Sequence, residues 1–207
     1  MHTGVLEVPA SELEVLNALI KRCSTTIQKN QSIIDFHGIR TAKLSARIGL
    51  RLNLSEIEVL NLVEGGMVHD VGKSMNLCKR WMKKYEGKSG TDVPVDEITY
   101  FRKLHTQLGP AVLAKADLSD AFSSVEFLSH VCRHHHDPEH IMTGPYRDLL
   151  AIVQVADSFD SMTSGEGYHS YAGYSPSHAI QSMRQLSVPE RRYYSRDIVD
   201  VLATLLS

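Results

Sequence analysis

The sequence predicts an all-α domain, and three observations carry that expectation. Apolar residues recur at helical spacing through most of the chain, two capping boxes open such stretches, and alternating apolar runs rich in β-branched residues hardly occur. At 207 residues the chain suits one domain, or one domain with a short extension.

The elements follow in order. Ser11-Glu12-Leu13-Glu14 is the first capping box, and Leu13, Leu16, Leu19, Ile20 and Ile27 keep helical spacing in a helix running towards Gln31. A second helix covers about Ser32 to Leu52, with Ile33, His37, Leu44 and Ile48 near one face. Ser55-Glu56-Ile57-Glu58 opens a third, which should end around His69-Asp70. Residues 71–95 read as irregular, because Gly72, Gly87, Gly90 and Pro94 punctuate a basic stretch whose Lys79, Arg80, Lys83 and Lys84 read as a solvated face. Further helices are expected at about 96–107, 109–116, 119–136, 147–163, 175–187 and 196–206, with a second exposed loop around 137–146. Residues 1–30 are set apart as an N-terminal extension or packing helix, and 31–207 as the main domain.

Composition narrows the function. Hydrophobic residues make up 43% and charged residues 22%, enough for a real core. Lys plus Arg is 22 against 24 for Asp plus Glu, which argues against a DNA- or RNA-polymer binder and against a polybasic membrane anchor. Cys23, Cys78 and Cys132 suggest neither a disulfide framework nor a CxxC zinc site. No signal-peptide pattern or run of ~18 apolar residues is present, so a soluble, cytoplasmic protein is expected. The unusual count is 11 histidines, several of them clustered.

Those histidines carry the chemistry. In His69-Asp70-Val71-Gly72-Lys73, adjacent imidazole and carboxylate can bind one metal, and the carboxylate can bridge two. Gly72 is expected to let the backbone turn sharply, and Lys73 to reach an anion over the metals. His37 lies one helix earlier, with Arg40 one turn beyond it. His105 follows the irregular segment, Arg133-His134-His135-His136-Asp137 ends an apolar-patterned helix, and Asp157 sits on the apolar stripe of IVQVADSFDSM. A carboxylate on a buried stripe is costly unless paired or bound to metal. Taken singly, each histidine reads as an ordinary hydrogen-bonded or surface residue. One binuclear site accounts for His37, His69, Asp70, His105, two of the histidine tract and Asp157 together. Such donors suit Fe, Mn, Ni, Co or Zn, and two close metals suit hydrolysis of a phosphate ester.

The order His37…His69-Asp70…His105…His-His…Asp157 resembles the HD superfamily of metal-dependent phosphohydrolases, and most of all its HD-GYP subfamily. The segments that carry the resemblance are HGIRTAKLSARIG, MVHDVGK, LHTQLGPAVL, VCRHHHD and VADSFDSMTS…YSPSHAIQSM, from about residue 30 to the C-terminus. The resemblance implies an HD-domain helical bundle with HD-GYP-type C-terminal helices. It also implies a phosphodiesterase that opens cyclic di-GMP, or a related cyclic dinucleotide, to linear product or mononucleotides. Carried over by position, His37, His69, Asp70 and Asp157 hold one divalent metal. Asp70 bridges to a second, completed by His105 and the histidine pair; Fe or Mn is favoured, with Zn, Ni or Co accepted. Lys73 contacts the scissile phosphate. Val131 one turn before the pair and Asp137 after it place the pair at His135-His136, with His134-His135 the other register.

Three departures stand out. Where some members carry a glutamate before the first histidine, this chain has Ile33, which implies two metals rather than three. The Gly-Tyr-Pro loop is replaced by PEHIMTGPYRDLL with Gly144-Pro145-Tyr146 in altered order, and an Arg-Pro-Tyr by Glu166-Gly167-Tyr168. Two other readings therefore stay open: a module that binds a cyclic dinucleotide or a partner protein without turnover, and an HD hydrolase of another nucleotide. A homodimer or a separate signalling partner is left open as well.

Overall fold

The computed structural model describes residues 36–88, 92–115, 122–164, 173–188 and 192–206, together with Glu14, Asn17, Ala18, Ile20 and Lys21. They include nine α-helices and one 3₁₀ turn, and no strand occurs among the described residues. The all-α expectation therefore holds. No helix among them is long and apolar enough to cross a membrane. Ser11, Glu12 and Leu13 of the first capping box, Ile33, and Glu166-Gly167-Tyr168 lie outside the described residues. Of the N-terminal positions, Ile20 is buried in the main core.

Helices α1 (Phe36–Arg51) and α2 (Glu56–Val68) pack against each other through small residues. Gly38, Thr41, Ala42, Ser45, Ala46 and Gly49 form the buried stripe of α1. A Cβ on Gly66 would lie 2.6 Å from the Cα of Ala42, and one on Gly49 2.6 Å from a Leu62 methyl. Residue 42 thus faces 66 and residue 49 faces 62, an antiparallel pair with nearly touching backbones. That pairing brings the first turn of α1 beside the last turn of α2, and with it His37 to His69, whose ring centroids are 5.1 Å apart. Glu58 closes the start of α2 by accepting the Ser55 backbone N–H at 2.8 Å.

After α2, a 3₁₀ turn (Val71–Ser74) leads into α3 (Asn76–Lys84). The expectation of an irregular 71–95 is corrected here. Cys78 and Trp81, three residues apart, point inward with Tyr85, while Lys79, Arg80, Lys83 and Lys84 are exposed. The basic stretch is thus the outer face of an amphipathic helix. Trp81 stacks on Phe101 of α4 (Val95–Lys115), 4.2 Å between centroids, in a small second core with Cys78, Tyr85 and Val93.

Helix α4 is continuous where two helices were expected. Pro110 removes one backbone donor, but its fixed φ is compatible with a helix. The buried residues Phe101, His105, Gly109 and Leu113 step by four straight through it. Gly109 meets α5 (Val125–His134) so closely that a Cβ would lie 2.7 Å from that of Cys132. Packing on both sides of the proline overrides its local cost. Helix α5 starts later than the expected residue 119, because the Ser124 hydroxyl accepts the Phe127 N–H at 3.2 Å and caps it there. The expected loop at 137–146 contains a short helix, α6 (Pro138–Thr143), capped by the Asp137 carboxylate.

Helix α7 (Arg147–Thr163) has the expected boundaries and is the central strut, packing against α1, α2, α5 and α6 and against the C-terminal helices α8 (Pro176–Leu186) and α9 (Arg196–Leu205). Every residue from Leu149 to Asp157 is buried. A helix enclosed on all sides gains roughly 1.5–3 kcal/mol per large apolar side chain, which offsets the cost of also enclosing Gln154, Asp157 and Asp160.

Candidate metal centre

Five helices deliver the polar cluster to one place. His37 comes from the first turn of α1, and His69 from the residue capping α2. Asp70 follows it, His105 lies mid-way along α4, His135 and His136 just after α5, and Asp157 in α7. His37, His69, His105, His135 and Asp157 are each at most 8% exposed.

Asp70 sits between two sets of imidazoles. Its Oδ2 lies 3.3 Å from His69 Nε2 and 3.8 Å from His37 Nε2. Its Oδ1 lies 3.4 Å from His105 Nε2 and 3.6 Å from His135 Nε2. Asp157 Oδ1 closes the first set, 3.0 Å from His37 Nε2 and 3.7 Å from His69 Nε2. Donor atoms of His37, His69 and Asp70 fall within 4.8 Å of one another, and so do those of Asp70, His105, His135 and His136.

The tautomers are set from behind. Nδ1–H donates to Gly66 O from His69 (2.8 Å), to Phe101 O from His105 (2.7 Å) and to Val131 O from His135 (2.9 Å). In the neutral ring the other nitrogen then carries a lone pair. Lone pairs therefore converge on a carboxylate, and His105 Nε2 approaches His135 Nε2 to 3.3 Å. His69 Nε2 and Asp70 Oδ1 are buried without a hydrogen-bond partner. With neutral rings, acceptors would face acceptors in a buried space, which is unfavourable unless a proton or a metal cation lies between them. The donor set fits divalent transition metals held by imidazole and carboxylate.

Behind His37 stands a residue that the sequence reading passed over. His37 Nδ1 is 2.7 Å from Asp160 Oδ2, and Asp160 also takes the Arg40 guanidinium at 2.7 and 3.0 Å. The D-x-x-D spacing of Asp157 and Asp160, one helical turn, was the available signal, matched by His37 and Arg40 three apart on α1.

The two halves titrate in opposite directions. Burial alone would lower His37, but its hydrogen bonds to Asp157 and Asp160 outweigh that and push its pKa up to about 9. His69 is likewise raised: burial opposes, and the charges of Asp70 and Asp157 prevail. On the other side burial drives His105 down to about 3, with the Lys73 charge adding to it, and burial holds His136 well below its ordinary value. Burial works against ionised Asp70 and Asp157, yet Lys73 and His69 beside Asp70, and His37 and His69 beside Asp157, keep both well below the usual carboxylate range.

All seven expected ligand positions are thus brought together. His134 is not among them: it lies 3.4 Å from the Asp137 carboxylate and stacks on His140, 3.5 Å between centroids. The histidine pair at the cluster is His135-His136. Lys73 ion-pairs with Asp70, and its side chain is 30% exposed. The expectation for Gly72 is corrected. Its φ is not positive, and what needs glycine is space, since a Cβ would stand 2.0 Å from the His105 carbonyl oxygen. A cavity of about 980 Å³ opens over the cluster, lined by Lys73, Arg102, His136, Asp157, Tyr174 and Tyr193 among others. Its described walls do not include Gly144-Pro145-Tyr146, where the Tyr146 ring instead packs on Phe127 and His130 of α5.

No curated protein and no solved structure matches the chain. The family model of the HD domain matches residues 34–162, well over half the sequence and a span that takes in all seven positions of the cluster. With the adjacent His69-Asp70 at its centre, this chain belongs to the HD domain family, the metal-dependent phosphohydrolases.

Proposed function

We propose that the protein is a binuclear phosphodiesterase of the HD-GYP type that opens cyclic di-GMP or a related cyclic dinucleotide. The observation that carries this reading is the placement of Asp70, with one carboxylate oxygen facing His37 and His69 and the other facing His105 and His135. His37, His69, Asp70 and Asp157 would hold one metal, and Asp70, His105, His135 and His136 the second. When bound, such a pair supplies Lewis-acid activation of water near neutral pH and of the phosphoryl oxygens. The chain's own residues do the rest. Asp160 fixes the His37 ring, and the backbone carbonyls of Gly66, Phe101 and Val131 fix the rings of His69, His105 and His135. Lys73 sits at the cavity wall beside Asp70, where its ammonium can neutralise charge on the phosphate as one P–O bond forms to a water-derived oxygen and the ester P–O bond breaks.

The cavity volume, about 980 Å³, is at the upper end of small-molecule sites and supports a substrate larger than a mononucleotide. The closing VADSFDSMTS segment supports the HD-GYP assignment, and the burial of Ile20 supports counting part of residues 1–30 as a packing helix of the same domain. In the test, purified protein is incubated with cyclic di-GMP and the products are separated. Linear dinucleotide or GMP is expected from the wild type and none from His69→Ala or Asp70→Ala. Turnover by metal-stripped wild-type protein would sink the reading. The altered 144–146 loop favours one alternative, a module that binds without turnover; tight binding with no linear product from metal-loaded protein would select it.

A further inference from the structure

We propose that Arg102 is a second phosphate-binding cation of this site, gripping a non-bridging phosphate oxygen from the α4 wall while Lys73 approaches from the 3₁₀ turn. The inference rests on the phosphohydrolase reading above. Arg102 stands one helical turn before His105 on α4 and lines the same cavity as Lys73, His136 and Asp157. Its placement is set by neighbours that cannot easily move: Phe101 is locked under Trp81, and His105 is tied to the Phe101 carbonyl.

A phosphodiester held by metals at the cluster and by Lys73 would still have an oxygen to present to the α4 wall, and a guanidinium is suited to it because its fork can donate two parallel hydrogen bonds. The segment that follows α7 cannot supply the group, since no lysine or arginine occurs between Ser164 and Arg184. Arg40 is committed to Asp160. Lys88 is exposed at the rim, 5.3 Å from the Tyr85 ring centroid. Arg102 is half-buried and lines the cavity together with His136, Tyr193 and Tyr194, which places it where the α4 wall meets the C-terminal segment. A guanidinium there would orient a phosphodiester between the α4 wall and Lys73.

The probe is inorganic phosphate, titrated calorimetrically into Mn²⁺-loaded protein whose metal content is measured in parallel. Arg102→Gln is expected to weaken phosphate binding about ten- to a hundredfold, the range for a lost charge-assisted hydrogen bond, with metal stoichiometry unchanged. Arg102→Lys keeps the charge but not the fork, and should recover part of the loss. Phosphate affinity within about twofold of wild type in Arg102→Gln would overturn the proposal, as would loss of metal in that variant, which would mark a structural role. Wild-type protein that binds phosphate through Arg102 yet forms no linear dinucleotide would remove the cyclic-dinucleotide substrate and leave the Arg102 subsite standing.

Discussion

Gly72→Ala tests how the metal cluster is assembled. The methyl carbon would stand 2.0 Å from the His105 carbonyl oxygen and 2.9 Å from the Gly109 amide nitrogen, both backbone atoms of α4. Real contacts of this kind stay beyond 3.0 Å, so the 3₁₀ turn and α4 must separate by about 1 Å. Overpacking of this size costs about 1–3 kcal/mol, or a fall in Tm of about 2–12 °C for a chain of this length. The same separation pulls Asp70, two residues away, from His105, whose Nε2 is now 3.4 Å from Asp70 Oδ1. The variant should therefore lose metal as well as stability. Gly87→Ala is the control, because Gly87 has open space around it but a positive φ of 74°. It should lose about 1 kcal/mol through backbone strain and keep its metal. Calorimetric unfolding and elemental analysis of both variants decide the matter. A Gly72→Ala protein with wild-type Tm and full metal content would refute the close-approach account.

Asp160→Asn should lower metal affinity about 10–100-fold at the half-site of His37, because the ring loses the carboxylate that orients it, and leave the His105 half-site intact; two-step metal titration distinguishes the two. His136→Ala should lose metal, whereas His134→Ala, which alters a ring stacked on His140 outside the cluster, should keep it; equal losses in elemental analysis would overturn the register. In the metal-free protein, His37 and His69 carry raised pKa values, so their protonated forms stabilise the fold fully below about 6.5, the ordinary histidine value; the His37 share is lost as pH rises through about 9, and the His69 share as pH rises through its own raised value. Tm measured in chelator should fall between those pH values, and saturation with metal, which displaces these protons, should flatten the slope. A flat Tm in chelator would contradict the ion pairs at His37.

Much of the site was legible in the sequence because its ligands are unusual residues at helix ends or on apolar stripes. Asp157 stands out on a helix otherwise built to be enclosed, and the phase of Leu128, Val131 and Cys132 turns His135 and His136 inward. Asp160 was harder to see, because its partner is Arg40, 120 residues away in the sequence. Helix α3 was masked by its lysines, since only Cys78 and Trp81 show its inner face. The helices expected at 96–107 and 109–116 are one, because tertiary packing decided it: the step of four from Phe101 to Leu113 was the stronger signal. Gly72 was rightly singled out for the wrong reason, since a close approach between distant backbones leaves no local trace.

The central claim is that Asp70 joins two half-sites into one binuclear centre. Its most direct test is a metal titration of stripped protein, followed by calorimetry, for wild type and Asp70→Asn. The account expects about two divalent ions per wild-type chain, with both affinities weakened together by the single substitution. One ion per chain, or an Asp70→Asn variant that still binds two with unchanged affinity, would contradict it.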